Sequence, residues 1–240
     1  MDKNIFFEII ENKFEKLGYE LNEEQQKNFY EYMILLLDWN KKINLTAITE
    51  PEEIIVKHFV DSISILKHIK ESDRIVDIGT GAGFPGIPLK IMKKDISVTL
   101  VDSLNKRVNF LNEVIQKLEL KDIQAIHSRA EEFGKNKKYR ESHEIAVSRA
   151  VARLNVLVEY LLPTVKVGGK CICMKGPNSQ EEIEEAKVAI NLLGGKIKNI
   201  EEITLPETDI KRTIIIIDKV KQTPNKYPRK AGTPAKTPIK

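Results

Sequence analysis

The sequence predicts an α/β fold: a mostly parallel, Rossmann-like sheet with helices on both faces, an antiparallel last strand and an N-terminal helical cap. Three observations carry this. From Arg74 onward, short β-branched runs alternate with amphipathic helical segments. The first run, Ile75 to Ile78, opens directly into a turn with glycines at 79, 81 and 83. The last two runs, near 197–205 and 213–219, follow one another with no helical segment between them, so they should pair as an antiparallel hairpin. At 240 residues the chain can hold one such domain and a small addition.

The elements follow in order. Phe6, Ile9, Ile10, Phe14 and Leu17 recur at helical spacing and Gly18 stops them. Asn22 with Gln25 forms a capping box for a second helix, whose face is Phe29, Met33 and Leu36/Leu37. Thr49 with Glu52 reads as another capping box, opening a helix that carries Lys57, His58, Asp61 and Ser62. Residues 1–70 therefore form a helical extension, 71–219 the sheet domain and 220–240 a basic, Pro-rich tail. Within the sheet domain, strands are expected at 75–78, 98–101, 123–126, 145–147 and 170–175. Helices are expected at 87–92, 104–118, 154–162 and 181–193.

The glycine turn fits two ligands. Gly81, Gly83 and Gly86 match the G-x-G-x-x-G dinucleotide fingerprint, with Asp102 about where a ribose-binding acid belongs. The earlier register, Asp77-x-Gly79-x-Gly81-x-Gly83, is motif I of the class I S-adenosylmethionine methyltransferases. That register explains more, because a dinucleotide strand should run apolar to its first glycine, and here Asp77 interrupts it. A carboxylate there suits a ligand with an amino group and a sulfonium.

Composition is that of an ordinary soluble protein, 41% hydrophobic and 31% charged. No signal peptide and no membrane-length apolar run is present, and Cys171 and Cys173 lie two apart in one strand, poorly placed for a disulfide. A reducing, cytoplasmic location and a monomer without a metal site are expected. Seven of the 39 basic residues and none of the 35 acids lie from Lys219 onward, which leaves residues 1–218 at a net charge of −3. A tail so basic fits either a polyanionic partner or a disordered solubilising appendage. If the partner is a polyanion, deleting residues 220–240 is expected to weaken its binding and spare the affinity of the glycine turn for its donor ligand.

In open α/β sheets, ligands bind beyond the carboxyl ends of the strands. Those ends hold Asp77 to Gly83, Asp102, Ala130–Glu131 and Arg149. Asp102 can accept ribose hydroxyls or cap the next helix locally. Glu131 and the backbone at Ala130 can bound an adenine ring. Arg149, inside an apolar stretch, needs an acidic partner, for which the donor's carboxylate or the substrate is favoured over a structural ion pair. The fourth strand ends in Ser148-Arg149-Ala150 rather than [Asp/Asn]-Pro-Pro-[Tyr/Phe], which disfavours methylation of an exocyclic amine. The cysteines sit inside a strand, which disfavours a pyrimidine-carbon mechanism. An acceptor with a ready lone pair, such as guanine N7, remains, alongside protein and small-molecule acceptors. No residue is assigned as a catalytic base, since aligning such an acceptor with a methyl group requires none.

These residues also carry a family resemblance. Trp39 to Thr46, His58-Phe59-Val60-Asp61-Ser62, the glycine loop with Phe84-Pro85-Gly86-Ile87-Pro88, Asp102 to Arg107, Ser148-Arg149-Ala150, Lys175-Gly176 and Tyr227 to Pro234 are involved. Together they resemble the glucose-inhibited division protein B family, also described as ribosomal RNA small subunit methyltransferase G. The resemblance implies methyl transfer from S-adenosyl-L-methionine to N7 of one guanine in 16S rRNA, leaving S-adenosyl-L-homocysteine. It implies donor contacts at Gly79, Phe84, Ala130, Glu131 and Arg149, with Asp102 at the ribose; Gly81 joins them as the next glycine of the motif. For the acceptor, as 16S rRNA or the small ribosomal subunit, the candidates are Lys57, His58, Asp61, Lys175 and Arg212, each of which a helical face or an ion pair explains at least as well, with Arg229 and Lys230 of the tail.

Overall fold

A computed structural model describes residues 1–149 and 151–240; Ala150, part of the strand end named above, lies outside the described residues. Seven strands, β1 (Arg74–Ile78), β2 (Ser97–Asp102), β3 (Ile123–His127), β4 (His143–Arg149), β5 (Val165–Lys175), β6 (Gly195–Thr204) and β7 (Lys211–Lys219), form one sheet in the order β3-β2-β1-β4-β5-β7-β6. The first five pair in parallel. β7 inserts antiparallel between β5 and β6. This hairpin, anticipated from the missing helix, separates the sheet from the dinucleotide-binding order 3-2-1-4-5-6.

The central strands are buried on both faces, and their period-two side-chain alternation sorts residues cleanly. Ile75, Ile145, Ile172, Met174, Ile214 and Ile216 face one core. Val76, Ile78, Ala146, Cys171, Cys173, Ile215 and Ile217 face the other. The first core is closed by α1 (Lys3–Glu15) and α2 (Glu23–Asn40), through Phe6, Phe14, Phe29 and Tyr32. α3 (Pro51–Ile54), a π-helical turn Ile55–Val60 and α4 (Asp61–Ile63) continue that layer, followed by α5 (Gly86–Met92) and α6 (Asn105–Lys117). The second core is closed by α7 (Ala130–Lys135), α8 (Leu154–Leu161) and α9 (Gln180–Leu192). A last short helix, α10 (Thr233–Lys236), lies in the tail. Among the described residues, no helix is long and apolar enough to cross a membrane.

Local chemistry explains the boundaries. The Asn22/Gln25 capping box forms as anticipated. The Thr49/Glu52 box does not: α3 is capped by Glu50 without a side-chain bond, because Pro51 at its first position fixes the helical φ one residue later. Asn40 ends α2 by accepting the amides of Leu45 and Thr46 at 2.9 and 3.0 Å, which pins the connecting loop to the end of the helix.

The tail is part of the folded body. Arg229 grips the fully buried Glu159 of α8 through Nε and Nη2, the latter at 2.7 Å. Arg140 donates to the carbonyls of Thr223 and Tyr227. Pro228 sits against Gly134, where a Cβ would stand 3.2 Å from its ring. The disordered appendage that composition allows is not what forms.

Candidate functional site

Parallel pairing brings the ends of β1, β2, β3, β4 and β5 to one edge of the sheet, and the glycine loop lies at its centre. Gly79 and Thr80 donate their amides to Val101 O on β2. Gly79, Gly81 and Gly83 all have positive φ, a region open to glycine at no steric cost. A Cβ on Gly79 would stand 2.5 Å from Val151, whereas one on Gly81 would meet nothing within 4 Å. Gly81 thus faces open space beyond the strand ends.

Two carboxylates hold this loop. Asp77 Oδ2 accepts from the Thr80 hydroxyl at 2.7 Å and the Gly86 amide at 2.9 Å. Its Oδ1 is buried and has no partner among the described residues. Burial pushes the Asp77 carboxyl up to about 6, against the pull of those two hydrogen bonds. Asp102 Oδ2 accepts the Gly81 amide at 3.0 Å and Oδ1 accepts Leu104 N at 2.9 Å, an Asx-type turn. Arg107 approaches the same carboxylate at 3.3 Å. The helix cap anticipated for Asp102 does not form, since α6 starts after Leu104 without a side-chain cap; Asp102 instead closes a local turn and is tied to the glycine loop.

Phe84 is the hub between the loop and the N-terminal helices. His58 stacks on its ring at 4.4 Å, the Tyr32 ring lies at 5.3 Å and the Arg149 guanidinium at 5.1 Å. Arg149, ending β4, donates Nη1 to Lys57 O and Asp61 Oδ2 at 3.0 and 2.9 Å, and Nη2 to His58 Nδ1 at 3.1 Å. Asp61, 1% exposed, also takes Arg212 Nε at 3.0 Å on its other oxygen. The partner that burial demanded for Arg149 is thus Asp61, the alternative ranked second on sequence. His58 Nε2 meets the Thr46 hydroxyl at 2.8 Å. With Nδ1 accepting from Arg149, the imidazole is neutral and donates through Nε2. Burial and then the Arg149 charge hold its pKa down to about 3.

The other residues singled out on sequence divide into two groups. Ala130 and Glu131 open α7 just past β3, next to Asp102, whose carbonyl accepts Ser128 N at 3.0 Å. Glu131 is buried and accepts the Gly232 amide of the tail at 2.7 Å. Lys175, ending β5, is committed to Ala152 O at 2.6 Å and Glu182 at 2.7 Å. Arg229 is committed to Glu159, while Lys230 is exposed. Sequence reasoning missed Tyr32, whose hydroxyl donates to Ala82 O inside the loop. It also gave Thr46 no role. An aromatic on a core stripe carries no signal for its polar end, but the Asn40-to-Thr46 motif was there to be followed.

Both cysteines are free and buried, and burial pushes the Cys173 thiol up to about 12. Neither can serve as a nucleophile at this edge. Among the described residues no cluster of acids, histidines and cysteines could hold a metal ion.

Comparison with known proteins agrees with this geometry. The family model for rRNA small subunit methyltransferase G (GidB) matches residues 25–213. The "Ribosomal RNA small subunit methyltransferase G" of Alkaliphilus metalliredigens is 53% identical over 234 residues, covering 97% of this chain and 98% of that protein. Its namesake from Acetivibrio thermocellus is 56% identical over 223 residues, covering 92% of each chain. Among solved structures, a SAM-dependent methyltransferase from Aquifex aeolicus superposes with a TM-score of 0.52 at 19% identity, covering 75% of this chain and 97% of that one; it shares the fold. With its seven-stranded class I methyltransferase sheet and near full-length identity to these relatives, the chain belongs to the rRNA small subunit methyltransferase G (GidB) family.

Proposed function

We propose that this chain transfers a methyl group from S-adenosyl-L-methionine to N7 of one guanine in 16S rRNA of the small ribosomal subunit. The observation that carries the reading is the glycine loop braced by two carboxylates at the sheet edge, in a chain that is 53% identical to a curated family member over 97% of its length.

The residues fit the donor. Gly81 leaves room for close backbone approach. Asp77 keeps one buried acceptor without a partner for a cationic group, and Asp102 stands where adenosine hydroxyls would lie. Gly79, Gly81, Phe84, Asp102, Ala130, Glu131 and Arg149 would hold it. When bound, S-adenosyl-L-methionine supplies a sulfonium-activated methyl group. The chain's own contribution is positioning: Asp77 and Asp102 fix the loop, and the stacked Phe84, His58 and Arg149 wall the site and exclude water. Guanine N7 carries no proton, so no base has to accept one. His58 agrees with that, being neutral with both ring nitrogens already engaged.

His58, Asp61, Lys175, Arg212, Arg229 and Lys230 are our acceptor-side candidates. Their commitments in the fold make Lys230 the freest to touch RNA, and the others organisers of the surface around it. The division of labour we favour is a cap over 1–70 that shapes the acceptor side, a donor domain over 71–219 and a basic tail over 220–240. A cytoplasmic monomer completes the reading, and light scattering would test the monomer.

The test is incubation with radiolabelled donor and unmodified small-subunit RNA, followed by chemical cleavage at N7-methylguanines. Label at a single cleavable guanine is expected. Label confined to protein, or at positions resistant to that cleavage, would refute the acceptor assignment.

A further inference from the structure

A cavity opens on the edge that carries the glycine loop, three contacts away from it. It lies where β5 and β6 end and β7 begins, has a volume of about 300 Å³ and is lined by Asn178, Glu202, Thr204, Lys211 and Arg212 among others. Lys211, Thr204 and Asn178 are exposed, and the Arg212 side chain is partly so. Arg212 is fixed in place: Nε holds Asp61 at 3.0 Å and Nη1 donates to Lys211 O at 3.1 Å. Through Asp61 the wall of this cavity is bonded to Arg149, which lies over Phe84.

We propose that this cavity binds a nucleotide of single-stranded RNA next to the methylated guanosine, with its phosphate on Lys211 and Arg212 and its base edge on Asn178, Thr204 and Glu202. The inference rests on the RNA-methylating function proposed above and extends it to a specificity-determining subsite. The charges set the orientation. Two cations on one side suit a phosphate. The Glu202 carboxylate repels phosphate but accepts from a base's exocyclic amine, as carboxylates do in base-edge readout. Unstacked bases in loops are the usual targets of sequence-specific RNA recognition, and a cavity holding an amide, a hydroxyl and a carboxylate provides for one such edge. Asn178 sits at φ 60° in the left-handed region, so its side chain is presented by the turn after β5 rather than by a regular element.

Two variants test this with unmodified small-subunit RNA as probe, in methyl-transfer and direct binding assays run in parallel. Lys211→Ala should raise KM for RNA about tenfold and lower the slope of log affinity against log salt by about 0.7 to 1, the share of one phosphate contact. Asn178→Gly, which keeps the left-handed backbone, should raise KM about fivefold, as for one lost hydrogen bond, and leave the salt slope unchanged. Calorimetry should find donor affinity at the wild-type value in both. Wild-type RNA affinity and salt slope in Lys211→Ala would overturn the subsite. A KM increase seen only with assembled subunits, and not with naked RNA, would assign the cavity to a ribosomal protein and overturn it equally. Failure of the wild type to move any methyl group would strike at the proposed function instead, and the binding assay would still decide the subsite.

Discussion

Asp77 and Asp61 are both acids buried at the sheet edge, yet they answer burial in different ways. Asp77 has two hydrogen bonds and no cation, and its carboxyl is raised to about 6 from an unfolded value near 3.9. The native protein then binds more protons than the unfolded chain between about pH 4 and 6. This group's stabilising contribution is therefore present at low pH and lost as pH rises through about 6. The loss amounts to about 3 kcal/mol at about 1.4 kcal/mol per unit. Asp77→Asn keeps an acceptor and cannot ionise, so urea unfolding at pH 4.5 and 7.5 should show that difference shrink in the variant. A cation at the free oxygen would favour the ionised form, so donor affinity should strengthen as pH rises through 6. Calorimetric titration that finds the same pH trend in Asp77→Asn would remove Asp77 as the donor's counter-charge. Asp61 instead has two arginines, at 2.9 and 3.0 Å. Asp61→Ala strands both guanidinium groups in a largely buried setting and should cost about 3–5 kcal/mol in denaturant unfolding; a loss under 1 kcal/mol would show that solvent reaches them.

At the level of elements, what was legible and what was not follows from range. Strand identity was legible because alternation is local: Ile214 to Ile217 divide between the two cores residue by residue. The hairpin was legible from a missing helix. The π-helical turn over Ile55–Val60 was not, because one extra residue per turn leaves little trace in an apolar pattern. The contacts of the tail were not legible either, since Arg229 and Glu159 stand 70 positions apart. One sign did exist: Glu159 is an acid within the apolar run from Leu154 to Leu162, and a buried acid requires a cation. The expectation that residues 220–240 can be removed without harm to the donor site is revised on the same ground. Their loss would leave Glu159 buried without its cation and would free Glu131 from Gly232. Arg229→Ala alone should lower stability by about 3–5 kcal/mol. Thermal melting beside Lys230→Ala, which exposes nothing and should melt as wild type, separates the two roles of neighbouring basic residues.

For the whole molecule, the charge asymmetry gains a location once the tail is docked. Residues 1–218 carry a net charge of −3, and the segment that bears the seven cations from Lys219 onward is bonded to them through Lys219, Arg229 and Gly232. Two of the seven are spent internally: Lys219 is buried against Leu162 O, Thr223 and Glu141, and Arg229 is bound to Glu159. Lys221, Lys226, Lys230, Lys236 and Lys240 remain exposed. Gly232 hydrogen-bonds to Glu131 at the first turn of α7, so Lys230 beside it is presented near the end of β3 rather than on a free tether, whereas Lys221 follows the far end of β7. A positive strip fixed beside a catalytic edge directs a polyanion to that edge, and its effect must fade with salt. Replacing Lys226, Lys230 and Lys236 together by alanine should therefore lower the slope of log affinity against log salt by about 2, at roughly 0.7 per single-strand phosphate contact. Melting temperature and donor affinity should stay at wild-type values, because none of the three side chains is buried. Filter binding to small-subunit RNA between 50 and 200 mM salt, the range over which about six phosphate contacts change affinity some thousandfold, measures that slope. A slope equal to that of the wild type would show that RNA approaches from another face, and the tail would then be an internal brace alone.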